Sequence, residues 1–169
     1  MKKLLLTAAA VIFLTLPTAI NAQQTGTFQL ISLDIGYAPA WQFETNDNVF
    51  PQLFALNIRV ADGFTAGFQS YSEGSEKTAN LFNMKYDFIP GKVRGIMAIG
   101  IDKQLFFSDP DDSNQTETVA GLGFEYAPFT RNVAGSVTTE FKIGVHYLFT
   151  KDDVASGAVV FNVAFSIGV

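Results

Sequence analysis

Along residues 158–169 two kinds of side chain take turns. Val159, Phe161, Val163, Phe165, Ile167 and Val169 share one parity. Val160, Asn162, Ala164, Ser166 and Gly168 share the other, where only Val160 is large and apolar. Successive side chains of a strand point to opposite faces. One face of this segment therefore belongs in a greasy medium, and the other in a tight, mostly polar one.

The split recurs upstream and predicts about eight strands. In residues 27–41, Ile31, Leu33, Ile35 and Tyr37 oppose Ser32, Asp34, Gly36 and Ala38. Phe54, Leu56, Ile58 and Val60 then oppose Leu53, Ala55, Asn57 and Arg59. The tight Ala61-Asp62-Gly63 connection is a hairpin signal, and after it Phe64, Ala66 and Phe68 oppose Thr65, Gly67 and Gln69. A loop over residues 72–77 leads to Phe82, Met84, Tyr86 and Phe88 against Leu81, Asn83, Lys85 and Asp87. Pro90-Gly91 marks the next turn. Met97, Ile99 and Ile101 then face away from Ala98, Gly100 and Asp102. Past an acidic loop over residues 108–115, Ala120, Leu122, Phe124 and Tyr126 face away from Gly121, Gly123 and Glu125. A turn around residues 131–135 and a loop over residues 150–156 bracket the seventh strand. There Phe141, Ile143, Val145 and Tyr147 oppose Glu140, Lys142, Gly144 and His146.

Charge decides which face is outside. In the inverted register Arg59, Lys85, Asp87, Asp102, Glu125, Glu140 and Lys142 would meet hydrocarbon. Each Arg or Lys costs about 2–4 kcal/mol at a bilayer midplane, and the sum rivals the ~5–15 kcal/mol by which proteins are usually stable. The apolar set carries no charge before Lys103, near a strand end where a long side chain reaches the interface. A soluble barrel would turn the apolar face inward instead. Gly36, Gly67, Gly100, Gly121, Gly123, Gly144 and Gly168 share the charged parity, and small residues suit the crowded inside of a narrow barrel. The expected fold is all-β: an eight-stranded antiparallel up-and-down transmembrane β-barrel. Its lumen charge network comprises Asp34, Arg59, Lys85, Asp87, Asp102, Glu125, Glu140, Lys142 and His146.

The start of the chain supports that setting. Lys2 and Lys3 precede an apolar run over residues 4–16, then Pro17 and a small-residue exit at Asn21-Ala22. This describes a secretory signal peptide over residues 1–22, cut between Ala22 and Gln23, with residues 23–169 as the barrel domain. The run is shorter than the roughly 20 residues a spanning helix needs. Lys and Arg number 11 against 16 Asp and Glu, and the leader removes two lysines. An acidic mature chain argues against nucleic acid as a partner. With no cysteine, disulfides and a lipid-modified N-terminal cysteine are excluded.

Hairpin length predicts orientation, because outer-membrane barrels have short periplasmic turns and longer external loops. The external loops then carry Glu44, Asp47, Glu73, Glu76, Asp109, Asp111, Asp112, Asp152 and Asp153, while Lys92, Arg94 and Arg131 fall on the periplasmic side. Tyr37, Trp41 and Tyr147 near the outer ends form one aromatic girdle. Phe64, Tyr86, Phe88 and Tyr126 near the inner ends form the other.

These features together resemble the small outer-membrane barrel superfamily of OmpX-type, OmpA-barrel-type and opacity-type proteins, over the whole mature chain. The resemblance implies a bacterial outer-membrane location, with membrane lipid as surroundings. It also implies that the barrel-assembly machinery reads the terminal strand through Phe161, Phe165, Ile167 and Val169. The last residue departs from the usual Phe. No peptidoglycan-binding domain is implied.

Candidate chemistry is sparse. An eight-stranded interior is about wide enough for side chains to fill, so the lumen charges read as a salt-bridged plug; a narrow polar pore is the alternative. His146 lacks a neighbouring serine, cysteine or second histidine in sequence and stands inward near the outer mouth, beside Asp34 or Asp102 in height. The loop carrying Asp109 lacks the glycine and spacing of a calcium site. No catalytic residue, metal or cofactor is expected. The reading is a non-enzymatic outer-membrane protein in a structural or adhesin-type role, whose external loops contact an extracellular ligand. A porin-like channel for small polar solutes or ions is the second reading, and a lipid A-modifying enzyme the third.

Overall fold

The computed structural model describes residues 29–43, 48–74, 76–107, 115–150 and 157–169. The expected leader over residues 1–22 lies outside them, as do Glu44, Asp47, Asp109, Asp111, Asp112, Asp152 and Asp153. The elements are β1 Ile31–Tyr37, β2 Ala40–Gln42, β3 Asn48–Val49, β4 Gln52–Ala61, β5 Phe64–Glu73, β6 Lys77–Ile89, β7 Val93–Lys103, β8 Glu117–Ala134, β9 Val137–Thr150 and β10 Ala158–Gly168. All pairings are antiparallel: β1 pairs with β4, each strand from β4 to β9 pairs with the next, β2 pairs with β3 and β10, and β10 closes on β1 from Ser32↔Gly168 to Tyr37↔Val163.

Ten segments make eight barrel strands, because two strands are interrupted by proline. β2 continues β1 along β10 without a slip, from Tyr37↔Val163 to Ala40↔Val160. β3 and β4 likewise form one strand across Phe50-Pro51. Proline has no N–H to give a ladder. Pro39 and Pro51 each cost one bond but still accept: Ala38 N donates to Pro51 O at 2.9 Å, and Phe161 N to Pro39 O at 2.8 Å. Register therefore survives, and Ala38, Ala40 and Gln42 stay buried while Trp41 stands outside.

Parity sorts the side chains as alternation predicts. Ile35, Phe82 and Ile99 are 60%, 54% and 57% exposed, whereas Lys85, Glu140 and Ser166 are 2% or less. The outer wall is apolar and the inside holds the charges. The inward glycines reflect close strand approach as well as lumen filling. A Cβ on Gly36 would land on the carbonyl oxygen of Val163, and one on Gly100 on that of Asn80.

Three expectations change. The reversal placed at residues 72–77 is tight: Glu73 pairs with Lys77, and Gly74 takes φ +69°. The turn placed at residues 131–135 moves later, because β8 runs to Ala134 and the chain reverses at Gly135-Ser136. The interior is also not polar throughout. In the half away from Leu30 and Val169, Leu53, Tyr71, Leu81, Leu105, Phe106, Val119, Leu148 and Val160 form a buried apolar cluster. Residues 105–107 leave the ladder and fold into this far half of the barrel. Gln104, at φ 56°, makes the inward bend.

Candidate functional site

The most chemically loaded region is the interior of the terminal half, near Leu30 and Val169. Its geometry follows from strand register. Arg94 on β7 stands directly opposite Asp87 on β6 and Glu125 on β8, so an acid flanks it on each side. Arg94 Nε lies 3.1 Å from Asp87 Oδ1, and its Nη1 lies 2.9 Å from Glu125 Oε1 and 3.1 Å from Glu140 Oε2. Lys85, two residues before Asp87 and on the same face, reaches Glu125 Oε2 at 2.9 Å.

The second arm crosses from β9 to β1. Lys142 Nζ lies 2.9 Å from Asp34 Oδ1 and 3.6 Å from Glu140 Oε2. Small residues make the crossing possible: Lys142 stands beside Ala164, and Asp34 beside Ser166 and Ala55. Asn57 Nδ2 donates to Asp34 Oδ2 at 3.0 Å. Arg59, at the edge of the group, lies 3.8 Å from Asp87 and 3.9 Å from the exposed Asp62. Arg59, Lys85, Arg94 and Lys142 thus meet Asp34, Asp87, Glu125 and Glu140. Buried ions lose several kcal/mol each on leaving water, and persist where partners return it.

The expected lumen network leaves out Arg94, which the sequence reading places only on the periplasmic side. It is instead the hub of the cluster. Its parity with Ile96, Ala98, Gly100 and Asp102 carried that information, since even positions of this strand point inward.

Two of the expected lumen residues stand apart. Asp102 points inward but binds the bend that follows it. Its carboxylate accepts from the backbone N–H of Leu105 at 3.2 Å, Phe106 at 3.1 Å and Phe107 at 3.0 Å. Gln42 Nε2 donates to Leu105 O at 2.7 Å, and Phe106 meets Tyr71 edge-on with ring centres 5.4 Å apart. His146 lies 3.3 Å from Asn162 rather than against Asp34 or Asp102, and Asn162 Nδ2 donates to the Tyr71 hydroxyl at 3.2 Å. Tyr71, Asn162 and His146 form a polar layer between the ionic and apolar halves. The sequence reading does not single out Tyr71, although it shares the inward parity of Thr65, Gly67 and Gln69.

Within the ionic cluster the described residues leave little room for a solute. The cavity lined by Ser32, Asn57, Arg59, Lys85, Asp87 and Arg94 holds about 20 Å³, roughly one water molecule. Among the described residues no group of three His, Cys, Asp or Glu side chains could hold a metal ion. The clustered carboxylates face guanidinium and ammonium groups.

Outside, aromatic side chains gather at both ends of the wall. Phe64 and Tyr86 stand 4.8 Å apart, Tyr86 and Phe88 5.4 Å, and Phe88 and Phe124 6.0 Å. At the far end, Trp41 stacks on Phe43 at 6.1 Å, Phe43 meets Tyr147 at 6.3 Å, and Tyr147 meets Phe149 at 6.1 Å. Tyr37 and Tyr126 also face outward. Phe43 and Phe149 join these groups although the sequence had not singled them out. Phe161, Phe165, Ile167 and Val169 line the outer face of the terminal strand. Neither the known protein families nor the curated proteins give a match to this chain.

Proposed function

We propose that the chain is an integral barrel of a bacterial outer membrane, a non-enzymatic scaffold displaying its far-end loops to the exterior. One observation carries the reading: a closed barrel whose exposed wall is apolar between two aromatic clusters while its charges are inside. Water is the wrong solvent for that wall, because an apolar patch of a few hundred Å² is already large for a soluble monomer. Tyrosine, tryptophan and phenylalanine at the two ends match the aromatic girdles of outer-membrane barrels. Membrane lipid and, during biogenesis, the barrel-assembly machinery are the partners of this reading.

The interior supports a scaffold over a channel, since the ionic cluster and the inward residues 105–107 occupy the two halves of the lumen. A surface role follows from the acidic residues of the far end, of which Glu73, Glu76 and Glu117 are described; contact with an extracellular ligand would run through those loops. Fractionation of cells making the protein, with gel mobility compared before and after boiling, tests location and closure together. The expected result is an outer-membrane band whose mobility changes on heating. Steady solute conductance across planar bilayers would overturn the closed-lumen part.

A further inference from the structure

Strand β8 outlasts its neighbour. Its pairing with β7 ends at Val93↔Tyr126, with one further backbone bond from Ala127 N to Lys92 O at 2.8 Å. It then runs on to Ala134, paired among the described residues with β9 alone. Residues 129–136 are all exposed, Phe129 at 71%. Phe129 pairs with Phe141 and Arg131 with Thr139, so both side chains lie on the outer parity, while Thr130 and Asn132 lie on the other.

A strand edge presents a row of unpaired N–H and C=O groups, which is a template for another strand. Edges of this kind are usually blunted by charge, proline or a bulge. Here Pro128 stands before the edge and a bulge falls between Asn132 and Ala134. Among the described residues nothing pairs with this edge over residues 129–132.

We propose that this open edge of β8 docks an extended segment of another polypeptide, which adds as a strand and sets an apolar side chain opposite Phe129 and a carboxylate opposite Arg131. Cross-strand pairs of opposite charge stabilise a sheet and like charges directly opposite destabilise it, which fixes the acidic partner. A second copy fits poorly. Antiparallel pairing of two such edges places the two-fold axis along the wall normal, so the two barrels would point in opposite directions. Copies sharing one membrane cannot do this, a step that rests on the membrane reading above. A lipid surface also fits poorly. Phe129 lies three residues past Tyr126, the last aromatic of the inner girdle on this strand, about 10 Å at ~3.3 Å per residue, and hydrocarbon gives the unpaired backbone groups no partners.

The test uses the whole barrel in lipid nanodiscs and two synthetic peptides alternating threonine with valine, one with a central glutamate and one with a central lysine. Amide hydrogen exchange over residues 127–134 is the readout. The glutamate peptide should slow exchange there, with the lysine peptide about fivefold weaker, and Arg131→Glu should reverse the order. Exchange unaffected by either peptide overturns the proposal. So does protection that is present without peptide and rises with barrel or lipid concentration. A barrel that fails to enter the nanodisc counts against the membrane reading, whereas an inserted barrel with an inert edge counts against this proposal alone.

Discussion

The two halves of the barrel interior obey the same parity and fill the same cylinder by opposite chemistry. In the terminal half, long charged side chains cross the lumen and meet in pairs, with Arg94 touching Asp87, Glu125 and Glu140. In the far half the chain itself comes inside, and Leu105, Phe106 and Phe107 pack against Tyr71, Leu81 and Leu148. Alternation dictates which residues face inward and leaves open what they do there. Charges that span the lumen need small residues opposite, which Ala55, Gly144, Ala164 and Ser166 supply. An apolar filler needs a bend with satisfied amides, which Asp102 supplies.

The comparison can be broken most severely at Arg94. Arg94→Ala leaves three carboxylates facing one another with their main cation gone, and removing one partner of a buried ion group costs about 3–5 kcal/mol. Denaturant unfolding in detergent micelles should show a loss in that range. Phe106→Ala removes the filler instead. Large-to-small aromatic changes in a core cost about 3–5 kcal/mol, and the lower end is expected because residues 105–107 are free of the ladder and can resettle. The same unfolding curves measure it.

Asp102→Asn keeps the side-chain shape and removes the charge that strengthens three amide hydrogen bonds. A loss of about 1–3 kcal/mol is expected, with faster amide exchange at residues 105–107 and little change at Arg94. The sharpest form of the comparison is the smallest number. If the halves are independent, the double variant Arg94→Ala with Phe106→Ala should equal the sum of the single losses to within about 0.5 kcal/mol. A larger coupling would mean that the polar layer of Tyr71, Asn162 and His146 transmits strain between them.

Most of the wall was legible in the sequence because a strand has a period of two and the outer wall and the lumen carry opposite side chains. The inward set on β4, β6, β8 and β9 follows from that rule alone, and the tight reversal at Gly63 from its turn residues. Pro39 and Pro51 break ladder bonds but leave the register intact, so they did not mislead it. Arg94 is missing from the expected lumen network because it stands close to a reversal, although its parity with Ala98, Gly100 and Asp102 points it inward. The inward course of Leu105, Phe106 and Phe107 was hidden for a different reason. Three successive apolar residues have no alternation, and where the chain leaves the ladder their burial is decided by space left inside the barrel. Asp102 shows the same limit. Its inward face was readable, while its partners are amides of a bend that periodicity does not describe.

The central claim is that the apolar wall requires hydrocarbon, and refolding residues 23–169 with and without lipid vesicles tests it most directly. Circular dichroism and heat-dependent gel mobility should report a β-barrel with vesicles present, and aggregated or unfolded chain in buffer alone. A monodisperse, folded protein in buffer without lipid or detergent would contradict the account.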